Sequence, residues 1–318
     1  MRALYFDGQH LGLREMPPPR PGPGEALVQV HLAGVCRTDL EVLKGYYGFT
    51  GVPGHEFTGE VVEAPEPKWR GRRVVGEINI PCGQCPRCRA GLRRHCEHRR
   101  VLGLKGLNGT WAEYLVLPAA NLLPVPEELP EETAVFAEPL AAAVAVLEAA
   151  APVAGGRALV VGDGVLGLLT SWVLALAGAE VHLAGHYQEH LLLGRPYGVE
   201  GYLEADLPPG EYDLVVEASG SPGGLHLALE RVRPRGTIVM KSTFQGEVAL
   251  PPARLVVPEV RLVGSRCGPL VGALRLLTRG WIDPRPLIQG VVPLSAGPAG
   301  PEMARQPGGL RVLLDCRR

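Results

Sequence analysis

Four cysteines within fifteen residues place the strongest constraint on how this chain can fold. Cys82, Cys85, Cys88 and Cys96 follow the spacing C-x2-C-x2-C-x7-C and are four of the seven cysteines in the 318 residues. Four thiolates so spaced can complete the tetrahedral shell of a structural zinc ion. The surrounding segment is rich in Gly, Pro and Arg, so a metal would supply the missing folding free energy. Free or disulfide-bonded cysteines are the alternative.

The composition limits the partners and the compartment. The chain is 46% apolar, and its formal net charge of −1 gives no reason to expect nucleic acid or an acidic membrane as a partner. No apolar run reaches a spanning length, and the first sixteen residues lack the apolar centre of a signal peptide. Cysteines spaced to bind metal suit a reducing compartment. We therefore expect a cytoplasmic, two-domain protein with no membrane partner.

The first third of the chain predicts short strands separated by turns. Alternating or apolar segments bounded by Gly and Pro predict strands at residues 26–31, 59–63, 73–78 and 110–117. The prediction is an all-β or α+β region with the cysteine lobe, residues 80–100, inserted in it.

The pattern changes near Glu131. Residues 134–151 are rich in Ala, Leu and Val and predict a helix. Buried strands then alternate with helical segments, which is typical of a parallel, doubly wound α/β sheet. The predicted strands are residues 158–161, 180–184, 213–217, 237–241 and 261–264, with a helix at 166–177, a further segment at 272–278 and a last strand at 310–314.

A glycine turn after the first of these strands indicates a dinucleotide site. Gly162, Gly164 and Gly167 fit G-x-G-x-x-G, with Val165 and Leu166 between the last two. The motif follows a predicted strand and opens a predicted helix, where glycines allow a tight turn and close approach of a pyrophosphate. A generic glycine turn of an α/β protein is the alternative.

The end of the second strand bears on which dinucleotide is bound. An Asp or Glu there would bind the ribose 2′-hydroxyl, but the chain has Ala184, Gly185 and His186. Without the acid a 2′-phosphate meets less repulsion, and His186 could donate to it. This favours NADP over NAD, unless His186 is simply a solvated loop residue.

Three separate segments supply a second possible set of metal ligands. Cys36, His55 and Glu138 would give sulfur, nitrogen and oxygen donors, with one position left for water or substrate, as a catalytic zinc needs. Each has a simpler explanation: a small core residue, a turn histidine and a carboxylate favoured at a helix start.

The chain resembles the zinc-dependent medium-chain alcohol dehydrogenases. Six motifs carry the resemblance, in this order along the chain: Cys-x-Thr-Asp, Gly-His-Glu, the four-cysteine lobe, Glu-Pro, the glycine turn and Glu-Ala-Ser-Gly. The polyol, threonine and glucose dehydrogenase branch is the most similar. The resemblance implies a GroES-like domain at residues 1–138, a Rossmann domain at 139–275 and a return to the first domain at 276–318. It places the active site in the cleft between them.

The resemblance also implies roles for individual residues. Cys36, His55 and Glu138 would bind the catalytic zinc, Glu56 would be an alternating fourth ligand, and Asp39 would orient His55. Thr38 would carry the alcohol proton toward solvent. Two zinc ions per chain and NADP or NAD are then the expected cofactors.

Other residues of the expected sites follow from position. Ser219 and Gly220 end a strand where such a sheet binds its ligand, and Arg37 could reach the pyrophosphate or face solvent. Many relatives carry a relay histidine where this chain has Glu41, so the proton route is open to question.

The expected reaction moves a hydride between an alcohol, polyol or sugar hydroxyl, or the matching carbonyl, and NAD(P). The expected partner is that small molecule, and the resemblance implies a homodimer or homotetramer. The alternatives are a zinc-ribbon binding module, a zinc-free quinone or enoyl reductase, and a homologue that binds its cofactors but has lost catalysis.

Overall fold

The computed structural model describes residues 1–150, 154–243 and 247–318. The chain divides into two compact units, Met1–Glu138 with Ala273–Arg318, and Pro139–Gly272. The domain limits derived from the sequence stay predictions.

The strands, in chain order, are β1 (Arg2–Phe6), β2 (Leu11–Glu15), β3 (Glu25–Val35), β4 (Glu56–Glu63), β5 (Arg73–Gly76), β6 (Asn79–Ile80), β7 (Arg100–Leu102), β8 (Gly106–Leu107), β9 (Tyr114–Pro118), β10 (Leu122–Pro124), β11 (Arg157–Val161), β12 (Glu180–Gly185), β13 (Glu200–Leu203), β14 (Tyr212–Glu217), β15 (Val232–Met240), β16 (Arg261–Gly264), β17 (Ile288–Pro293) and β18 (Arg311–Asp315). The α-helices are α1 (Arg37–Val42), α2 (Pro86–Arg89), α3 (Glu131–Ala134), α4 (Ala137–Ala150), α5 (Val165–Leu176), α6 (Gln188–Leu192), α7 (Pro222–Arg231), α8 (Ala253–Val256), α9 (Leu270–Thr278) and α10 (Ala299–Ala304).

The first unit is built on one mostly antiparallel sheet. Its strand order is β10-β5-β4-β3-β18-β17, with β9 also paired to β3. Strand β3 alternates buried and half-buried residues in its first half and is buried on both faces from Val30 to Val35. Strand β18 is buried throughout and pairs antiparallel with β3. The C-terminal strand β18 therefore lies inside this sheet, between β17 and the strand that leads into α1.

The four-cysteine lobe has a core of its own. Strands β6, β7 and β8 form a small sheet, and α2 carries Cys88. Among the described residues, its buried cluster consists of cysteines, with Cys96 fully buried and Cys82 packed at the edge. Sulfur takes the place that aliphatic side chains hold in the rest of this unit.

The second unit is a six-stranded sheet in the order β13-β12-β11-β14-β15-β16, and every neighbouring pair is parallel. Its centre packs Leu159, Val161, Val215 and Ile238, all fully buried. The strand order reverses direction between β11 and β14, and parallel sheets bind ligands at the carboxyl ends of strands at such a reversal. The predicted doubly wound sheet is confirmed.

Several predicted elements differ in their limits. The predicted helix 134–151 is split, because α3 ends at Ala134 and α4 begins at Ala137, while residue 151 lies outside the described residues. The predicted strand 73–78 ends at Gly76, because the Glu77 carboxylate accepts hydrogen bonds from both nitrogens of Asn79 and turns the chain. The predicted strand 110–117 begins only at Tyr114.

No helix in the described part of the chain is long and apolar enough to cross a membrane.

Candidate catalytic metal centre and cofactor site

Cys36 is held at the start of a helix. Strand β3 ends at Val35, and Cys36 caps α1: its Sγ accepts a hydrogen bond from the Thr38 N–H at 3.2 Å. The Cys36 N–H in turn donates to Asp39 Oδ2 at 2.9 Å. Cys36 and Asp39 therefore form a capping box at the start of α1. A helix N-terminus favours negative charge on its cap. The Cys-x-Thr-Asp segment therefore fixes the sulfur of Cys36 at the start of α1, beside Asp39.

His55 lies between Asp39 and Cys36. Its Nδ1 is 2.9 Å from Asp39 Oδ1, and its Nε2 is 3.2 Å from Cys36 Sγ. Because an ionised carboxylate only accepts hydrogen bonds, Nδ1 donates to Asp39, and Nε2, on the side of the sulfur, is the nitrogen that a metal could bind once it is deprotonated. The histidine is 5% exposed and Asp39 is fully buried. Asp39 thus orients the nitrogen that a metal would use.

The turn before His55 depends on a glycine. Gly54 has φ of +93°, and a Cβ there would lie 2.6 Å from Trp111 Nε1. The indole donates from Nε1 to the Gly34 carbonyl at 3.0 Å and fixes the back of the site.

Two further carboxylates lie beside His55. One ligand atom from each of His55, Glu56 and Glu138 lies within 4.8 Å of the others, and Cys36, Asp39 and His55 form a second such group. The two groups share His55. The structure therefore places each of the other predicted ligands, Cys36, Glu56 and Glu138, close to His55.

Arg311 is a member of this site that the sequence did not reveal. Its Nη2 lies 3.1 Å from Glu56 Oε1, and its Nη1 donates to the Val35 carbonyl at 2.7 Å. The guanidinium is buried, as is Glu56. The partners come from opposite ends of the chain and meet because β18 is inserted next to β3, which no local pattern indicates.

Burial controls the ionisation of these groups. It raises the pKa of the Cys36 thiol, and the Asp39 carboxylate raises it further. It also raises the pKa of Glu56 to about 7, where Arg311 and His55 act in the lowering direction and Glu138 in the raising one. Burial lowers the pKa of His55, but Asp39 and Cys36 outweigh it and leave that pKa well above its usual value. Burial thus favours the neutral forms of Cys36 and Glu56, whereas the neighbouring Asp39 carboxylate favours the charged form of His55.

The donor set fits a zinc ion. Cys36, His55 and Glu138 offer a thiolate, an imidazole and a carboxylate, the ligands that zinc takes in catalytic sites. A divalent cation among them would favour the charged forms that burial opposes. The chemistry of the residues therefore matches the expected metal.

The three α1 residues predicted to matter have different surroundings. Thr38 is half-buried, while Arg37 is exposed. Glu41 Oε1 lies 2.8 Å from Lys44 Nζ, three residues further along the chain. Glu41 thus has a partner at the surface of the helix, which accounts for a carboxylate at this position.

The four cysteines of the lobe form one tight cluster. Their sulfurs all lie within 4.8 Å of one another, and none is in a disulfide. Backbone N–H groups of Cys88 and Glu97 hold the pKa of Cys85 at about 6. Four sulfurs in mutual contact, without disulfides, fit the closed shell of a structural zinc.

The glycine turn has the geometry that a dinucleotide site needs. Gly162 has φ of +114°, and a Cβ there would meet Ser219 N at 2.7 Å. Gly164 is the N-cap of α5 and faces open space, with Val165 and Leu166 half-buried in the first turn. A Cβ on Gly167 would collide with the Gly162 carbonyl. The open glycine leaves room for phosphate at the helix N-terminus, and the crowded ones let helix and strand approach.

Glu217 organises the neighbouring loop. This fully buried carboxylate accepts hydrogen bonds from Ser219 Oγ at 2.7 Å and the Gly220 N–H at 3.1 Å, and also from Ser242 Oγ. The ends of β14 and β15 are joined in this way beside the glycine turn.

Asp163 has a role that its local sequence pattern does not indicate. The residue sits inside the glycine motif, yet its Oδ2 accepts from the backbone N–H groups of His186 at 2.9 Å and Tyr187 at 2.7 Å. The signal that could have found it is an acid within the glycine motif together with a glycine, Gly185, at the end of β12.

Comparison with known proteins gives consistent matches. Residues 22–127 match the alcohol dehydrogenase GroES-like domain. An L-threonine 3-dehydrogenase of Pyrococcus furiosus is 32% identical over 77% of this chain and 76% of its own length. A D-altritol 5-dehydrogenase of Agrobacterium fabrum is 32% identical over 83% and 84%. A putative zinc-binding dehydrogenase of Sinorhizobium meliloti, solved with NADP, has a TM-score of 0.90 at 29% identity, covering 99% of this chain and 98% of that one.

Fold, donor sets and relatives together define a zinc-binding, NAD(P)-dependent oxidoreductase. The chain belongs to the zinc-dependent medium-chain alcohol dehydrogenase family. The predicted GroES-like and Rossmann architecture and the predicted cofactors, zinc and NAD(P), are confirmed, and the zinc-ribbon binding module is excluded.

Proposed function

We propose that the protein moves a hydride between a hydroxyl of a small alcohol, polyol or sugar and NAD(P), using Cys36, His55 and Glu138 to hold the catalytic zinc. The observation that carries this proposal is that sulfur, nitrogen and oxygen donors come together around the buried His55. The names of the relatives, threonine and altritol dehydrogenases, support a substrate with several polar groups.

The zinc-binding residues divide the work between them. When bound, zinc is a Lewis acid that lowers the pKa of a hydroxyl and polarises a carbonyl. Asp39 keeps His55 in the tautomer with Nε2 toward Cys36 Sγ. Cys36 would supply its sulfur from the N-cap of α1, and a bound zinc would favour the thiolate form that burial opposes. Glu138 would add a carboxylate as the third protein ligand, and a catalytic zinc with three protein ligands would keep a position for substrate.

Glu56 is proposed as the alternating ligand. Its ion pair with Arg311, at 3.1 Å, provides a partner for the carboxylate in the absence of a metal contact. A buried carboxylate without such a partner would be costly, so Arg311 would make an exchange of Glu56 between two positions less unfavourable.

Thr38 is proposed to pass the substrate proton toward solvent. The residue is half-buried in the first turn of α1, next to Cys36 in the fold. Glu41, bound to Lys44 at the surface, marks the solvent end of this helix and replaces the histidine that many relatives carry.

The cofactor is proposed to bind along one edge of the second unit. Its pyrophosphate would lie against Gly162, Gly164 and the first turn of α5, which includes Val165, Leu166 and Gly167. Ser219 and Gly220 would border it, Gly185 and His186 would face the adenosine ribose, and Arg37 remains a predicted pyrophosphate contact. The assembly of two or four chains likewise stays a prediction.

The test is the change in nicotinamide absorbance with zinc-loaded protein, NAD or NADP, and a panel of alcohols, polyols, sugars and threonine. We expect turnover with at least one hydroxylated substrate, and loss of turnover in Thr38→Ala with zinc content unchanged. Glu211→Gln, an exposed change in the second unit, is the control. Turnover that persists after all zinc is removed would contradict the proposal and favour a zinc-free reductase. Silence across the panel with two zinc ions bound would contradict the substrate class.

A further inference from the structure

The glycine turn contains a buried carboxylate that phosphate binding does not require. Asp163 is 6% exposed. Its hydrogen bonds within the described part of the chain end on Oδ2, from the backbone N–H groups of His186 and Tyr187. The imidazole Nδ1 of His190 lies 3.7 Å from the same oxygen. These contacts tie the turn to the residues that follow β12, where the adenosine ribose is expected.

Gly185 is matched to this carboxylate. A Cβ on Gly185 would lie 2.5 Å from Asp163 Oδ2 and closer still to its Cγ. No side chain can therefore begin at position 185 while Asp163 keeps its place. The end of this strand is where Rossmann sheets carry the acid that binds the ribose 2′-hydroxyl. In this chain that space is filled by an acid arriving from the glycine turn.

We propose that Asp163 is the residue that determines cofactor specificity: it supplies the ribose-binding acid from the glycine turn and makes the protein prefer NAD(H) to NADP(H). The proposal rests on the proposed dinucleotide site. It reverses the preference inferred from the sequence, where the lack of an acid at residues 184–186 favoured NADP.

Three features oppose a 2′-phosphate at this place. The phosphate would bring a charge of about −1.5 to −2 toward a buried carboxylate, and like charges repel strongly where water is scarce. The N–H groups of His186 and Tyr187, which could otherwise donate to that phosphate, already donate to Asp163. His186 Nε2 lies 3.5 Å from Glu204 Oε1, so the imidazole that could attract a phosphate has an acid beside it.

A 2′-hydroxyl is treated differently by the same residues. It carries no charge and can donate a hydrogen bond, and the second carboxylate oxygen of Asp163, Oδ1, can accept one. Discrimination therefore comes from repelling one cofactor as well as from binding the other.

The first test is equilibrium binding by calorimetry on the zinc-loaded protein, with NADH, NADPH, 5′-AMP and adenosine 2′,5′-bisphosphate as probes. We expect NADH to bind about 100-fold more tightly than NADPH, and the two adenosine probes to differ in the same sense. Asp163→Asn keeps an acceptor oxygen but removes the charge, so NADPH should bind about tenfold more tightly while NADH changes by less than about threefold. Glu211→Gln, an exposed acid ahead of β14, should change neither.

The second test moves the acid back. In the double variant Asp163→Gly with Gly185→Asp, the new side chain at position 185 no longer collides with a side chain at position 163. The acid at the end of β12 should then give the double variant the same preference for NADH over NADPH as the wild type. Gly185→Asp alone should weaken both cofactors, because the new side chain collides with Asp163.

The outcomes separate this inference from the proposed function. Wild-type protein that binds NADPH as tightly as NADH, or an unchanged ratio in folded Asp163→Asn, would overturn the role of Asp163 and leave the dinucleotide site standing. Wild-type protein that binds neither cofactor would overturn the proposed site itself. The wild-type ratio and the double variant keep the inference testable if Asp163→Asn fails to fold.

Discussion

The two metal-type clusters of this chain are built in opposite ways. In the four-cysteine lobe, the four sulfur atoms come from fifteen consecutive residues and pack against one another. Around His55, different ligand atoms come from segments far apart in the chain and are surrounded by Asp39, Glu56 and Arg311. The first cluster is a closed shell that replaces a hydrophobic core. The second is a set of different donor groups in which Asp39 contacts His55 and Arg311 contacts Glu56.

This difference separates stability from activity. A closed sulfur shell contributes folding free energy because the segment has little else to bury. An open site contributes chemistry, and its partners exist to orient ligands and compensate buried charge. The following changes should therefore affect two different measurements.

The largest expected effect is on the lobe. Cys88→Ser removes one of four sulfurs from a core made of cysteines, so we expect the melting temperature to fall by roughly 10 °C or more, or the protein to be recovered unfolded. Thermal unfolding followed by circular dichroism measures it. Cys267→Ser, outside both clusters, is the matched control and should change little. An unaltered melting temperature in Cys88→Ser would show that the lobe needs no metal.

The next effect is on activity without loss of fold. His55→Ala removes the residue that both ligand groups share. We expect turnover to fall by about a thousandfold or more, because the reaction depends on the metal that His55 helps to bind. The melting temperature should move far less than in Cys88→Ser. A comparable loss of fold in His55→Ala would remove the distinction between the two clusters.

A smaller effect tests orientation. Asp39→Asn keeps the size of the side chain but can no longer hold His55 through a charged acceptor, so zinc affinity or turnover should fall by about 10- to 100-fold. Chelator competition and steady-state rates measure it. Asp7→Asn, an exposed carboxylate in the same unit, is the control, and equal effects of the two changes would argue against the orienting role.

The smallest effect lies away from both clusters. His31 Nδ1 is 2.5 Å from Glu131 Oε1. This hydrogen bond is the main reason why the pKa of the Glu131 carboxyl is lowered. A carboxyl whose pKa is lowered by folding stabilises the folded state at pH values above its unfolded-state pKa. This stabilisation is lost as the pH falls through the folded-state pKa. Glu131→Gln should therefore lower stability by about 1 kcal/mol at pH 7, discounted for partial exposure, and by less near pH 3.

Urea unfolding at the two pH values measures this. Because Glu131 lies in neither ligand group, zinc content should not change in the variant. A loss of stability that is the same at both pH values would contradict the charge-based explanation.

Patterns within short segments predicted most of the elements and the lobe. The parallel sheet follows from apolar strands alternating with helices, and the cysteine cluster and the glycine turn are local spacings. The break in the helix at residues 135–136 and the early end of β5 depend on individual turns, such as the Glu77 carboxylate with Asn79, which periodicity does not reveal.

Contacts between segments far apart in the chain could not be predicted from the sequence. Arg311 reaches Glu56 only because β18 is inserted beside β3, and Asp163 reaches the end of β12 only because parallel strands β11 and β12 end side by side. In each case the residue types were visible, but the pairing depends on tertiary structure. Glu41 has Lys44 as its ion-pair partner three residues away, and the proton route past this position stays a prediction.

The most direct test of the account is the zinc content of purified wild-type and His55→Ala protein, measured by mass spectrometry of the metal on samples shown to be folded. We predict two zinc ions per chain in the wild type and one in His55→Ala, with the melting temperature nearly unchanged. A single zinc in the wild type, or two in folded His55→Ala, would contradict the assignment of one structural and one catalytic site.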